Sequence, residues 1–280
     1  MYFPTGFSSK RAIQLAELVM QAYSQLIAFQ NNSEWNLSGG YSLISELCYL
    51  GTRLGLRKSA VTNFDKELNQ FAKSPTQQKK GLPIGFIAKH KREFFIVFRG
   101  TMTNTEWFND FNIRLTPYHE KDLGKVHDGF LRTYNPFRQP IRDSLQGKHL
   151  NRKLFITGHS LGAGLATLAA ADLASEGIAD SPTIYTFASP RVGDNQFATK
   201  YNELMEGRSF RITNSCDLAT SIPFPVPFLK FLGGYFTHVE TPVEFNIQTE
   251  DVGKNHNMET YLTALRSMRP KKGLFGFLFK

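Results

Sequence analysis

Leu154–Ala174 reads LFITGHSLGAGLATLAAADLA. Leu154, Phe155, Ile156 and Thr157 suit a buried strand, whereas from Leu161 onward leucine and alanine predominate, a helix-forming composition. Ser160 lies at the junction in G-x-S-x-G spacing between Gly158 and Gly162. Glycines at those two positions leave room for a sharp strand-to-helix turn, with the serine at its apex and its hydroxyl held clear of its own backbone. The plainer role for Ser160 is a cap on the helix expected over 161–176. A strand before and a helix after is the context a nucleophile at this spacing requires, and the helix N-terminus favours negative charge at the turn.

Working outward, residues 8–29 carry Ile13, Leu15, Leu18, Val19, Ala22, Leu26 and Phe29 at helical spacing behind Ser8 and Ser9. Strand-length apolar runs begin at Pro83, Glu93, Lys153, Thr183, Ser209 and Thr237. Those at Glu93, Lys153, Thr183 and Ser209 are nearly continuous rather than alternating, as inner strands covered on both faces are. Helix-like segments lie between them at about 128–146, 161–176 and 194–206. The alternation predicts an α/β fold with a mainly parallel central sheet flanked by helices on both faces. A single domain is expected over 1–280, with 1–80 an N-terminal helical extension and 266–280 a basic-aromatic tail. In such sheets the chemistry gathers at the carboxyl ends of strands.

A serine needs a base and an acid, and in the hydrolase order Ser, acid, His both follow residue 160. His256, in the polar loop GKNHNMETYL ahead of a helix-like segment, is preferred to His238, whose surroundings alternate like a strand. Asp217 follows SFRITNSC at a strand end, where a carboxylate can hold the imidazole tautomer; Glu250 and Asp251 are the alternatives. Asp172 falls within a helix, Asp180 in a connection, and Asp194 where an N-cap is the simple explanation. Oxyanion donors are expected at Leu161, the residue after the nucleophile, and at Thr101 in the loop VFRGTMTNTEW.

Together these stretches resemble the class 3 lipases of the α/β-hydrolase fold. The likeness rests on VFRGT (97–101), EWFND (106–110), VHDGF (126–130), ITGHSLGAGLA (156–166), TFASPRVGD (186–194), RITNSCDLATSIP (211–223) and NHNMETYL (255–262), in that order. It implies a serine hydrolase acting on acyl esters of glycerolipids, with Ser160, Asp217 and His256 as triad and Thr101 and Leu161 as oxyanion donors. It makes His127 and His159 structural. It also implies a lid after FRGT, where Trp107, Phe108 and Phe111 are the apolar candidates. A phospholipase, galactolipase or acyltransferase would use the same triad, and a catalytically silent lipid- or protein-binding module is the rival of another class. Neither a metal nor an organic cofactor is implied.

The net charge of +9 on 280 residues comes without a phosphate-binding loop or an aromatic-basic RNA-binding run, so nucleic acid is not an expected partner. An anionic membrane or lipid interface is. The tail RSMRPKKGLFGFLFK (266–280) mixes five basic residues with Leu and Phe; it suits a lipid interface or packs on the domain's own surface. Cys48 and Cys216 are too few for a disulfide framework, no stretch is long and apolar enough to span a membrane, and no leader pattern is visible. The expected location is cytoplasmic, with peripheral attachment at a membrane surface. SIPFPVPFLKFLGGYF (221–236) carries more apolar surface than a loop normally does, and Phe228 and Phe231 are its lipid-contact candidates. Replacing both with serine should lower hydrolysis of aggregated long-chain esters more than of short soluble ones; equal losses would assign the segment to the interior.

Overall fold

The protein is described here from a computed structural model, which covers residues 3–51, 63–102, 114–119, 122–147, 153–178, 182–223, 235–239 and 241–268. The chain runs α1 (Ser9–Gln30), β1 (Ser42–Tyr49), α2 (Asn63–Phe71), α3 (Pro75–Lys80), β2 (Leu82–His90), β3 (Glu93–Phe98), β4 (Leu115–Pro117) and β5 (Lys125–His127). It continues α4 (Asp128–Leu145), β6 (Lys153–His159), α5 (Leu161–Ser175), β7 (Thr183–Phe187), β8 (Gly193–Asp194), α6 (Asn195–Leu204) and β9 (Ser209–Asn214). After a 3₁₀ turn at Leu218–Ser221 come β10 (Phe236–Thr237), β11 (Thr241–Phe245), α7 (Val252–His256) and α8 (Met258–Ser267). No helix among the described residues is long and apolar enough to cross a membrane.

Among the described residues the main sheet has the order β1-β2-β3-β6-β7-β9-β11. From β3 to β11 every neighbour is parallel, while β1 and β2 are joined antiparallel at one edge. Successive residues of β3 point to opposite faces, and both faces are buried. Phe95 and Val97 pack beneath α1 and α8, with Phe86, Phe155, Tyr185, Phe210 and Ile212. Phe94, Ile96 and Phe98 meet α4, α5 and α6 on the other side. The unbroken apolar runs in the sequence therefore reflect double burial. Helix α5 is buried from Leu161 to Leu173 on every side, which is why alanine fills it: small side chains let the helix sit close between the sheet and α4.

Two expectations need correction. Within the segment read as a helical extension, residues 42–49 form edge strand β1, and α1 lies inside the layered core. Only Leu47 and Tyr49 of β1 are buried apolar residues; an edge strand with one wet face has too weak an alternation to stand out. The run from Thr237 is also not one strand. It splits into β10, which joins a small sheet with β8, and β11, which closes the main sheet. His238 follows β10 rather than lying in a strand.

Helices α4 and α5 are tied by a buried carboxylate. Asp172 is 0% exposed and accepts from Tyr134 Oη at 3.0 Å and from Arg138 Nε at 3.0 Å. Asp172→Ala would take the carboxylate from the buried Tyr134 hydroxyl and leave Arg138 with Glu176, 3.2 Å away, in its place. It should lower unfolding free energy by about 3 kcal/mol or more, read as a shift in the urea midpoint.

Candidate active site

Ser160 stands where β6 turns into α5, with φ 56° and ψ −125°, a conformation that is strained for a side chain larger than glycine. The turn is possible because its neighbours lack side chains. A Cβ on Gly158 would lie 2.2 Å from the Gly162 carbonyl oxygen, and one on Gly162 would lie 2.2 Å from that of Arg99. Although Ser160 occupies the N-cap position of α5, its side chain makes no capping hydrogen bond. Its Oγ lies 2.8 Å from His256 Nε2 instead.

His256 ends α7, and its Nδ1 lies 2.8 and 3.0 Å from the two carboxylate oxygens of Asp217. An ionised carboxylate can only accept, so Nδ1 carries the proton and Nε2 presents its lone pair to the Ser160 hydroxyl. Asp217, 2% exposed, is delivered by the turn after β9. Its Oδ1 accepts from Ala219 N–H at 2.9 Å and its Oδ2 from Tyr261 Oη at 2.7 Å. Burial, followed by the Asp217 charge, raises the Tyr261 pKa well above the usual phenol value, so Tyr261 stays a donor. Nothing in the sequence singled out Tyr261. It lies 44 positions from Asp217, and that hydrogen bond leaves no spacing signal.

The other candidates lie elsewhere or serve structure. His238 Nε2 donates to the Thr220 carbonyl at 2.7 Å. Asp251 caps α7, Asp194 caps α6, and His127 caps α4. Glu250 is exposed. Cys48 and Cys216 are free thiols, both half-buried. His159 is buried with its Nε2 2.8 Å from the His256 carbonyl oxygen and its Nδ1 2.7 Å from Tyr23 Oη. Burial, and then the neighbouring His256, push its pKa well below the usual imidazole value, so it is neutral.

Thr101 lies on the loop after β3, which runs against the Ser160 turn: a Cβ on Gly100 would sit 2.8 Å from Ser160 Cβ. Thr101 is 3% exposed, and its hydroxyl has no hydrogen-bond partner among the described residues. It opens onto a cavity of about 210 Å³ that Met20, Tyr23, His159 and Met258 also line. Leu161 begins α5 directly after Ser160, so its N–H is one of the first in that helix. Trp107, Phe108, Phe111, Phe228, Phe231 and residues 269–280 lie outside the described residues. Among the described residues no three His, Cys, Asp or Glu side chains gather as a metal would require.

With this geometry in view, residues 95–226 match the lipase (class 3) family. This segment belongs to the class 3 lipases. The chain is 33% identical over 220 residues to the chloroplastic phospholipase A1-Ialpha2 of Arabidopsis thaliana, covering 64% of this chain and 45% of that protein. It is 30% identical over 223 residues to the chloroplastic galactolipase DONGLE of the same plant, covering 65% and 47%. The chain thus spans about half the length of these curated relatives. In fold it is similar to lipase II from Rhizopus niveus, with TM-score 0.60 and 19% identity over 87% of this chain and 83% of that one. That likeness and the sheet order together give the α/β-hydrolase fold. Ser160 and Asp217 fall inside the class 3 lipase segment; His256 lies beyond it, and Tyr23 lies ahead of it.

His238 provides a pH test of this arrangement. Burial, with Arg211 and Arg191 nearby, pulls its pKa down from 6.5 to about 3. The unfolded chain therefore binds a proton at His238 below about pH 6.5 that the folded chain refuses, and stability falls as pH drops from 6.5 toward 3. In His238→Gln the slope of unfolding free energy over pH 6.5 to 4 should be shallower by up to about 1.4 kcal/mol per pH unit, measured by urea titration.

Proposed function

We propose that the protein is a serine hydrolase that cleaves fatty acyl ester bonds of glycerolipids. The observation that carries this reading is the unbroken series Asp217–His256–Ser160, with the imidazole 2.8 Å from both the carboxylate and the hydroxyl. His256 Nε2 would take the Ser160 proton as Oγ attacks the ester carbonyl, and the resulting imidazolium would be balanced by Asp217. The oxyanion would receive the N–H of Leu161 and donors of Thr101, whose buried hydroxyl otherwise lacks a partner among the described residues. His256 would then return the proton to the leaving alcohol. In the second half-reaction it would act as base again, toward the water that releases the fatty acid from Ser160.

The names of the relatives, a phospholipase A1 and a galactolipase, favour polar glycerolipids of membranes over triacylglycerol as substrate. The net charge of +9 supports action at an anionic lipid surface, from a peripheral rather than an inserted position. A cytoplasmic setting is the sequence-based expectation; the relatives named above are chloroplastic proteins. Ser160→Ala should abolish labelling by a fluorophosphonate probe and reduce fatty-acid release from phospholipid, galactolipid and triacylglycerol panels by about 10⁴-fold or more. A wild-type protein that neither labels nor releases fatty acid would refute the assignment.

A further inference from the structure

The proposed oxyanion residue Thr101 is held from both sides by residues that lie ahead of the class 3 lipase segment. On the preceding side, the Gly100 N–H donates to Tyr23 Oη of α1 at 3.0 Å. On the following side, the Met102 N–H donates to Glu67 Oε1 of α2. Glu67 is 1% exposed and is fixed in turn by Arg99, itself 0% exposed, through Nη1 at 2.8 Å. The same Nη1 donates to the Gly100 carbonyl at 2.7 Å, and Arg99 Nε donates to the Pro83 carbonyl at 2.8 Å. Three peptide groups around Thr101 are therefore bonded to the half-buried Tyr23 and the buried Glu67 and Arg99, the first two of which come from the first 80 residues.

Tyr23 also reaches the base. A carbonyl can only accept, so the 2.8 Å contact of His159 Nε2 with the His256 carbonyl requires the proton on Nε2. Neutral His159 then accepts at Nδ1, and the Tyr23 hydroxyl donates to it while accepting from Gly100 N–H. A single relay, Gly100 to Tyr23 to His159 to the His256 backbone, joins the oxyanion loop to the end of α7, where the proposed base sits. We infer that Tyr23 and Glu67 are positioning residues that fix Thr101 relative to Ser160 and His256, so that residues 1–80 complete the active site as well as the core. This rests on the assignment of Ser160 as nucleophile.

Oxyanion donors act on the transition state far more than on the bound ester, so misplacing one lowers kcat and leaves KM nearly unchanged. Tyr23→Phe removes the relay hydroxyl alone. Glu67→Gln removes the charge from the Met102 acceptor while keeping its shape. Both variants would be compared with Glu93→Gln, which weakens the 2.6 Å Arg11–Glu93 ion pair at the opposite end of β3 from the Ser160 turn. The measurements are kcat and KM on a short-chain nitrophenyl ester, the fluorophosphonate labelling rate, and near-UV circular dichroism with Tm. The expected result is a kcat lower by about 10- to 100-fold in Tyr23→Phe and Glu67→Gln, with KM within about threefold, labelling slowed in parallel, and Glu93→Gln like wild type. If Glu67→Gln fails to fold, Tyr23→Phe alone decides. A folded Tyr23→Phe with wild-type kcat and labelling, or with the loss confined to KM, overturns the inference while leaving Ser160 as nucleophile. A wild type that does not label at Ser160 removes the proposed function and this inference with it.

Discussion

The backbone at Gly162 touches the backbone at Arg99 so closely that a Cβ there would lie 2.2 Å from the Arg99 carbonyl oxygen and 2.8 Å from that of Phe98. That contact joins the first turn of α5 to the carboxyl end of β3. Gly158 makes the matching approach to Gly162 from β6. Strand, turn and helix therefore meet main chain to main chain with no side chain between them. Ser160 and the Gly100–Thr101 loop, 60 positions apart in sequence, are held at a fixed separation as a result. The strained φ of Ser160 persists because the interior around it, from α1 beneath the sheet to α4 above, leaves the turn no other path.

The parts of this arrangement that were legible in the sequence are those enforced by local chemistry. Glycines two residues either side of a serine, between a β-branched run and an alanine run, leave few structural readings. Asp217 and His256 were read from a strand end and a polar loop; the structure makes that loop the short helix α7 and sets His256 between Asp217 and Ser160. What the sequence concealed are bonds whose partners share no period. Tyr261 reaches Asp217, Tyr23 reaches Gly100 and Glu67 reaches Met102 across 44, 77 and 35 positions, and each would pass for an ordinary helix residue. Strand β1 was hidden for a related reason, because an edge strand of mixed Ser, Glu and Leu character carries half the alternation of an inner one.

Arg99 shows why a charge belongs at the base of an otherwise apolar strand end. Its guanidinium carries three separate contacts, to Glu67, Gly100 and Pro83, and stacks over the Phe64 ring with its carbon 5.1 Å from the centroid. Burying such a pair costs hydration that a hydrophobic replacement would not, so it adds little as a net source of stability. Its value is directional. Leucine and methionine in the same volume would fill the space but could not specify where the Gly100 carbonyl and the Met102 N–H point.

The same preference for direction over net attraction explains the neutral histidine beside His256. His159 and His256 have ring centroids 4.8 Å apart. In the proposed reaction His256 becomes positively charged as Ser160 attacks. A second charge at that separation would raise the barrier by about 3 kcal/mol at an effective dielectric constant near 20, enough to slow the step more than a hundredfold. Burial holds His159 uncharged, and its two nitrogens are committed to Tyr23 and to the His256 carbonyl. It can therefore brace the His256 backbone without opposing the charge that the proposed reaction would place there. A lysine or arginine could hold that carbonyl equally well but would carry the opposing charge; an alanine would carry none and hold nothing. Within G-H-S-L-G the glycines make the turn, and the histidine is the side chain that steadies the proposed base at no electrostatic cost to the proposed reaction.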